Sequence, residues 1–385
     1  MQGRSLDRVN VLFIVPSLCR AGAETQVVNL VNGLDSKYFN KHLLVFEENI
    51  DQLSRVDRKT VTFHHPRRTR RWFDVHLLGQ IINIVDNHKI DIVHCSLQFS
   101  IFWGWLASRL SQQHPKVIAA IHTTINRNLK NELQDRLIYQ WILRSCHEII
   151  FVCRQQQLHW KAKYSFLKHR STVIYNGINT DWFSPESVRD SGIELRRFLS
   201  IPSDAILIAS IGRFQREKGQ HLLIESLDRL TDQSIYVVFA GDGPLRREIE
   251  ERCDLSFLSS QVRFLGAIPD VRPLLATANL LVLPSIAVET FSMAMLESLA
   301  METPVLASDI GGMREAVIEN ETGSLIPIGD VDALTHQLSR LIADRTHLHE
   351  MGVRGRALVM DQFTESRMIE HTAAILAHLS HIKTV

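Results

Sequence analysis

The chain has 385 residues, 45% of them hydrophobic and 22% charged, a size that predicts two domains and a composition that excludes disordered, fibrous and low-complexity classes. With 43 Lys and Arg against 42 Asp and Glu there is no global positive field, so no nucleic acid partner is expected. Five scattered cysteines without a C-x-x-C pair predict reduced thiols in a cytoplasmic protein, and no apolar run is long enough for a signal-peptide core or a spanning helix.

From the N-terminus, short runs of Val, Ile, Leu and Phe alternate with stretches of helical period, the pattern of a parallel sheet covered on both faces. Strands are predicted at 9–17, 42–48, 61–65, 91–96, 116–122 and 148–153. After the first comes SLCRAGAET, where Gly22 would let backbone approach a ligand ahead of a helix starting near Glu24. No G-x-G-x-x-G is present, which removes the dinucleotide fingerprint. After the third strand, HHPRRTRRWF (64–73) sets Arg67, Arg68, Arg70 and Arg71 beside Trp72 and Phe73. That mixture suits an anionic membrane surface or a phosphorylated lipid carrier, and equally a solvated loop. His122 closes the strand IAAIH; its ring could reach a crevice at the strand ends as a donor or an acid, or simply bond to backbone in the core.

The stretch 172–192 is dense in Asn, Gly, Asp, Ser and Pro and predicts a linker, with the domain boundary near Asp181. The strand pattern then restarts at 205–213, 235–242, 262–266, 280–285, 304–309 and 323–328. In IGRFQREKGQ, Gly212 and Arg213 leave a strand and Lys218 opens the next helix. Two cations there suit a diphosphate, Arg as a planar fork and Lys as a mobile point charge, although the Walker pattern is not met. In VETFSMAMLE, Glu289 falls on a loop and Glu297 about two turns into a helix that is apolar nearly all round. The amides of Phe291, Ser292 and Met293 would lie at that helix's N-terminus as an anion site. DVD at 330–332 reads as a helix cap, and the tail histidines His371, His378 and His381 as an exposed helical face, so no metal site is predicted.

Together these residues resemble the retaining family-4 glycosyltransferases of the GT-B fold, over nearly the whole chain. The family's glutamate, seven residues, glutamate signature matches Glu289 to Glu297; its G-R…K-G matches Gly212, Arg213, Lys218 and Gly219. VIYNGINTDWF, VFAGDGPLR, VRFLGAI and SDIGGMREAV also look like this family. The resemblance implies two doubly wound Rossmann-like domains facing across a cleft: 1–180 on the acceptor side, 181–364 binding the sugar nucleotide, and 365–385 a helix returning toward the N-terminal domain.

It implies Glu297 on the ribose hydroxyls, Glu289 on the donor sugar, and the amides near Phe291, Ser292 and Met293 on sugar or diphosphate. Arg213 and Lys218 would stabilise the leaving diphosphate, Gly22 would let its loop close on the phosphates, and His122 would contact the donor sugar. Thr290 and Ser292 stand where the family commonly has glycine, which implies a different loop path and sugar preference. The implied reaction is retaining same-face transfer of a hexose or N-acetylhexosamine, without metal or other cofactor. The donor would be a UDP-sugar or a GDP-sugar, and the acceptor a lipid-linked or polysaccharide glycan at the inner face of the cell membrane. The alternatives are a sugar-nucleotide epimerase on the same fold and a non-catalytic partner subunit.

Overall fold

The computed structural model describes residues 8–70, 73–122, 139–230, 234–254 and 257–380. The chain divides into two compact units, one made of Met1–Gly177 with Glu365–Val385, the other of Ile178–Thr364.

The first unit is a parallel sheet of β1 (Val9–Val15), β2 (Phe39–Val45), β3 (Val61–His64), β4 (Ile92–Ser96), β5 (Lys116–Ile121), β6 (Glu148–Phe151) and β7 (Ser171–Val173), in the order β3-β2-β1-β4-β5-β6-β7. Its central strands are covered on both faces, which is why they read as near-continuous apolar runs. One face packs Leu12, Ile14 and Leu44 against Leu77, Ile81 and Val85 of the helix Val75–Asn87. The other packs Val11 and Phe13 against Val27 and Val31 of the helix Gly22–Gly33, and against Met368 and Leu376 of the final helix Glu365–Ser380. That final helix lies so close that a Cβ on Gly33 would sit 2.1 Å from Ile369 Cδ1. The short edge strand β7 runs into the stretch expected to be linker.

The second unit is a parallel sheet of β8 (Ile206–Ile211), β9 (Ile235–Ala240), β10 (Val262–Gly266), β11 (Leu280–Leu283), β12 (Val305–Ser308) and β13 (Gly323–Ile326), in the order β10-β9-β8-β11-β12-β13. All six expected strands are present; several stop two residues early because their last residues already turn toward the loops. In each sheet the strand order reverses once, between β1 and β4 and between β8 and β11. In open parallel sheets a ligand crevice forms at such a reversal, beyond the carboxyl ends of the strands.

Candidate active site

At the β8/β11 reversal the chain leaves β8 through Gly212 and the exposed Arg213, then makes a tight turn over Arg216–Lys218. Gly219 follows with φ of 69°, and a Cβ there would lie 2.0 Å from the carbonyl oxygen of Pro284. Only glycine fits both the left-handed backbone and the approach to the end of β11. The turn is held there because the amide of Ile286 donates to Glu217 O at 2.8 Å and Gln220 Nε2 donates to Arg213 O at 3.0 Å. Lys218 Nζ thereby reaches Glu289 Oε2 at 2.6 Å, and Ser285 Oγ donates to the same oxygen at 3.3 Å. The Glu289 side chain is 11% exposed, so removing the lysine would strand a largely buried carboxylate.

The loop carrying Glu289 turns at Val288, whose φ is 57°, a left-handed conformation that a β-branched residue takes only under strain. Thr290 is not the left-handed residue. It is buried, its carbonyl accepts from the Gly312 amide at 2.6 Å, and a Cβ on Gly311 would lie 2.4 Å from Glu289 O. The G-G pair after β12 therefore braces the loop from below. Ser292 is the N-cap of the helix Met293–Ala300, its Oγ accepting from the Met295 amide at 3.4 Å, a cap that a glycine could not supply. Phe291 is buried just ahead of it, Met293 opens the helix, and Glu297 lies half-buried on the same helix.

At the β1/β4 reversal the first unit has a cavity of about 350 Å³ lined by Pro16, Ser17, Glu24, Leu97, Gln98 and His122, among others. The helix beside it starts at Gly22, two residues earlier than expected, which puts Glu24 in its first turn. Glu24 is buried and accepts from Ser17 Oγ at 3.3 Å and Cys19 Sγ at 3.2 Å. Leu97, directly after β4, has φ of 71°, so here too a non-glycine residue at the reversal takes a positive φ. His122 stands at the end of β5 with Nε2 buried and without a hydrogen-bond partner; burial pushes its pKa down to about 4. The ring is neutral at neutral pH, a hydrogen-bonding group and not an acid.

Two further groups escaped the sequence reading. His94 Nδ1 and Ser96 Oγ, both in β4, are buried without partners, and the His94 pKa also falls to about 4, from burial first and then from His122. Ser96 pairs in register with Ala120, two residues before His122. The three groups line one small cavity. Their signal was two polar residues at i and i+2 inside a strand otherwise buried on both faces.

Among the described residues of the arginine stretch, exposure is uneven. Arg68 is half-buried, 3.8 Å from Glu47 and over the Phe99 ring, whereas Arg67 and Arg70 are exposed. Asp74 caps the following helix and also accepts from the Arg70 amide at 2.9 Å. Arg71 and Trp72 lie outside the described residues.

A family model described as Glycosyltransferase Family 4 matches residues 20–182, and one described as Glycosyl transferases group 1 matches residues 193–358. The chain belongs to the family-4 glycosyltransferases. This family-4 chain is 29% identical over 286 residues to the D-inositol 3-phosphate glycosyltransferase of Corynebacterium urealyticum, covering 69% of this chain and 67% of that one. It is 31% identical over 182 residues to the lipopolysaccharide core biosynthesis glycosyltransferase LpsE of Rhizobium meliloti, covering 47% and 53%. Its fold is that of Anabaena HepE solved with UDP, with a TM-score of 0.85 at 18% identity over 96% of this chain and 100% of that one. Among the described residues of this glycosyltransferase, no helix is long and apolar enough to cross a membrane.

Proposed function

We propose that this glycosyltransferase moves a hexose or N-acetylhexosamine from a UDP-sugar, with retention at the anomeric carbon, to a lipid-linked or glycan acceptor in cell-surface glycan biosynthesis. The Lys218–Glu289 pair at the β8/β11 reversal carries this reading: a cation and a carboxylate 2.6 Å apart, held by a turn that needs Gly219. In the bound state Lys218 turns to the diphosphate, joined by Arg213, and Glu289 is released to accept from sugar hydroxyls. Glu297 accepts from the ribose. The amides of Phe291, Ser292 and Met293, at the start of the helix Met293–Ala300, face negative charge favourably. Gly212 keeps the exit of β8 open to the phosphates, and neutral His122 and the Gly22 turn serve the donor sugar and the acceptor.

Fixed positive charge on the departing diphosphate matters most in the transition state, where charge develops. The leaving phosphate takes the acceptor proton as the new bond forms on the same face. HepE was solved with UDP and with UDP-glucose, which supports a uridine donor, and LpsE of lipopolysaccharide core biosynthesis supports a lipid-linked glycan acceptor. Arg67 and Arg70 suit contact with an anionic lipid surface on the cytoplasmic side.

Isothermal titration with UDP, GDP and ADP, repeated on Glu297→Ala, tests the donor site. Preference for UDP that weakens in the variant supports the reading; equal affinity in both proteins removes the ribose role. The anomeric configuration of the product, read by NMR, decides retention.

A further inference from the structure

His42 in β2, His64 at the end of β3 and His88, which caps the helix Val75–Asn87, converge on one face of the first unit. They are 22 and 24 residues apart in sequence, so no motif announces them. Strand register makes the meeting: Leu44 pairs with His64, and His42, two residues before Leu44, shares its face. His42 Nδ1 and His64 Nε2 are 3.1 Å apart, and one ligand nitrogen from each of the three rings lies within 4.8 Å of the others. The ring centroids are 4.6 Å (His42 and His88), 5.1 Å (His64 and His88) and 5.3 Å (His42 and His64) apart. Among the described residues this is the one place where three His, Cys or acidic side chains bring ligand atoms within 4.8 Å of one another.

We propose that these three histidines bind a borderline divalent cation of the zinc class. Metal–nitrogen bonds of about 2.05 Å in tetrahedral geometry place two ligand nitrogens about 3.3 Å apart, close to the 3.1 Å already present between His42 and His64. Three imidazoles without thiolate or carboxylate select Zn²⁺, Co²⁺ or Ni²⁺ over Mg²⁺ or Ca²⁺. Two ligands are fixed by the β2/β3 ladder, and His42 is buried. The third is exposed at a helix end, so rotation of the His88 ring closes the set, and solvent supplies the fourth position.

In the metal-free pair one ring donates its N–H to the other. Binding moves that proton to the donor ring's other nitrogen, so that both facing lone pairs take the metal without change of charge on either ring. The bound ion ties the edge of the sheet to the helix between β3 and β4, a structural clip with no part in transfer chemistry.

The test uses untagged full-length protein stripped with EDTA and titrated with Co²⁺, followed by Zn²⁺. One equivalent of Co²⁺ should give a visible d–d band that Zn²⁺ abolishes, and Zn²⁺ should raise the thermal midpoint. His88→Ala, at an exposed position, should keep the fold by circular dichroism, lose the band and weaken binding at least tenfold, as should His64→Gln. His371→Ala with His378→Ala should leave the band intact. No stoichiometric band in the unaltered protein, or an unchanged band in His88→Ala, would overturn the proposal.

Discussion

At the β8/β11 reversal Lys218, Glu289 and Ser285 satisfy one another and glycines brace the loops around them, whereas at the β1/β4 reversal His94, Ser96 and His122 keep buried polar atoms without partners. The two sheets share the order of their first six strands, so the difference comes from the loops and side chains at the strand ends. The second unit keeps opposite charges against each other, which under the proposed function separate toward the diphosphate. Beside the satisfied Glu24, the first unit keeps the neutral groups of His94, Ser96 and His122 unmatched, and a buried polar atom left unmatched costs about 1–3 kcal/mol until something meets it. Paired charge suits a diphosphate; unmatched neutral groups suit hydroxyls.

Breaking the charged half should have the largest effect. Lys218→Ala is expected to lower kcat/KM by roughly 10²–10³-fold, the scale for losing one fixed transition-state contact, and to lower the thermal midpoint as well, because Glu289 is left largely buried without its cation; steady-state kinetics beside calorimetry would measure each. Next comes the glycine bracing. Gly219→Ala adds about 1–2 kcal/mol of left-handed strain to a steric overlap with Pro284, so urea unfolding should report lost stability and titration should report lost UDP binding. Glu297→Ala removes a charged hydrogen-bond acceptor worth about 1.5–3 kcal/mol, which predicts a fall in UDP affinity of about ten- to a hundredfold.

The neutral half is probed by pH. His94 and His122 have pKa values near 4 when folded, against about 6.5 when unfolded. The unfolded chain thus binds more protons between those values. The stability they contribute is whole above about pH 6.5 and is lost as the pH falls toward 4. Urea midpoints at pH 7.5 and pH 5 should differ in that direction, and His122→Gln should flatten the dependence; an unchanged slope would count against burial as its cause. The smallest effect sharpens the feature both halves share. Val288→Gly relieves left-handed strain of about 1–3 kcal/mol and loses about 0.5–1 kcal/mol to chain entropy, a net gain of order 1 kcal/mol in unfolding free energy.

The sheets were legible because strands buried on both faces are almost purely apolar, and hydrophobic period sees little else. Strand ends were not, since Pro16, Ser17, Val152 and Cys153 are buried like strand residues but no longer belong to a ladder. β7 escaped because three residues carry no period. Lys218 drew notice as a cation just past a strand end and Glu289 as an acid before an apolar helix, but their ion pair, 71 residues apart in sequence, was not legible. His94 and Ser96 passed as strand filler, and the contact of His42, His64 and His88 is set by register and helix length, neither of which a linear reading measures. Thr290 and Ser292 looked like obstacles to the glutamate loop. In the structure the loop places its left-handed turn one position before Glu289 and uses the serine as a cap.

The final helix fills the first unit's core with Met368 and Leu376, and this sets an order of assembly. During synthesis all of residues 178–364 follow the first seven strands out of the ribosome before residues 365–380 arrive. The unit made first is therefore finished last, and until then the apolar face of its helix Gly22–Gly33 that will receive Ile369 stays open to solvent or a chaperone. A chain released after Thr364 would carry all of the second unit and a first one without its last helix.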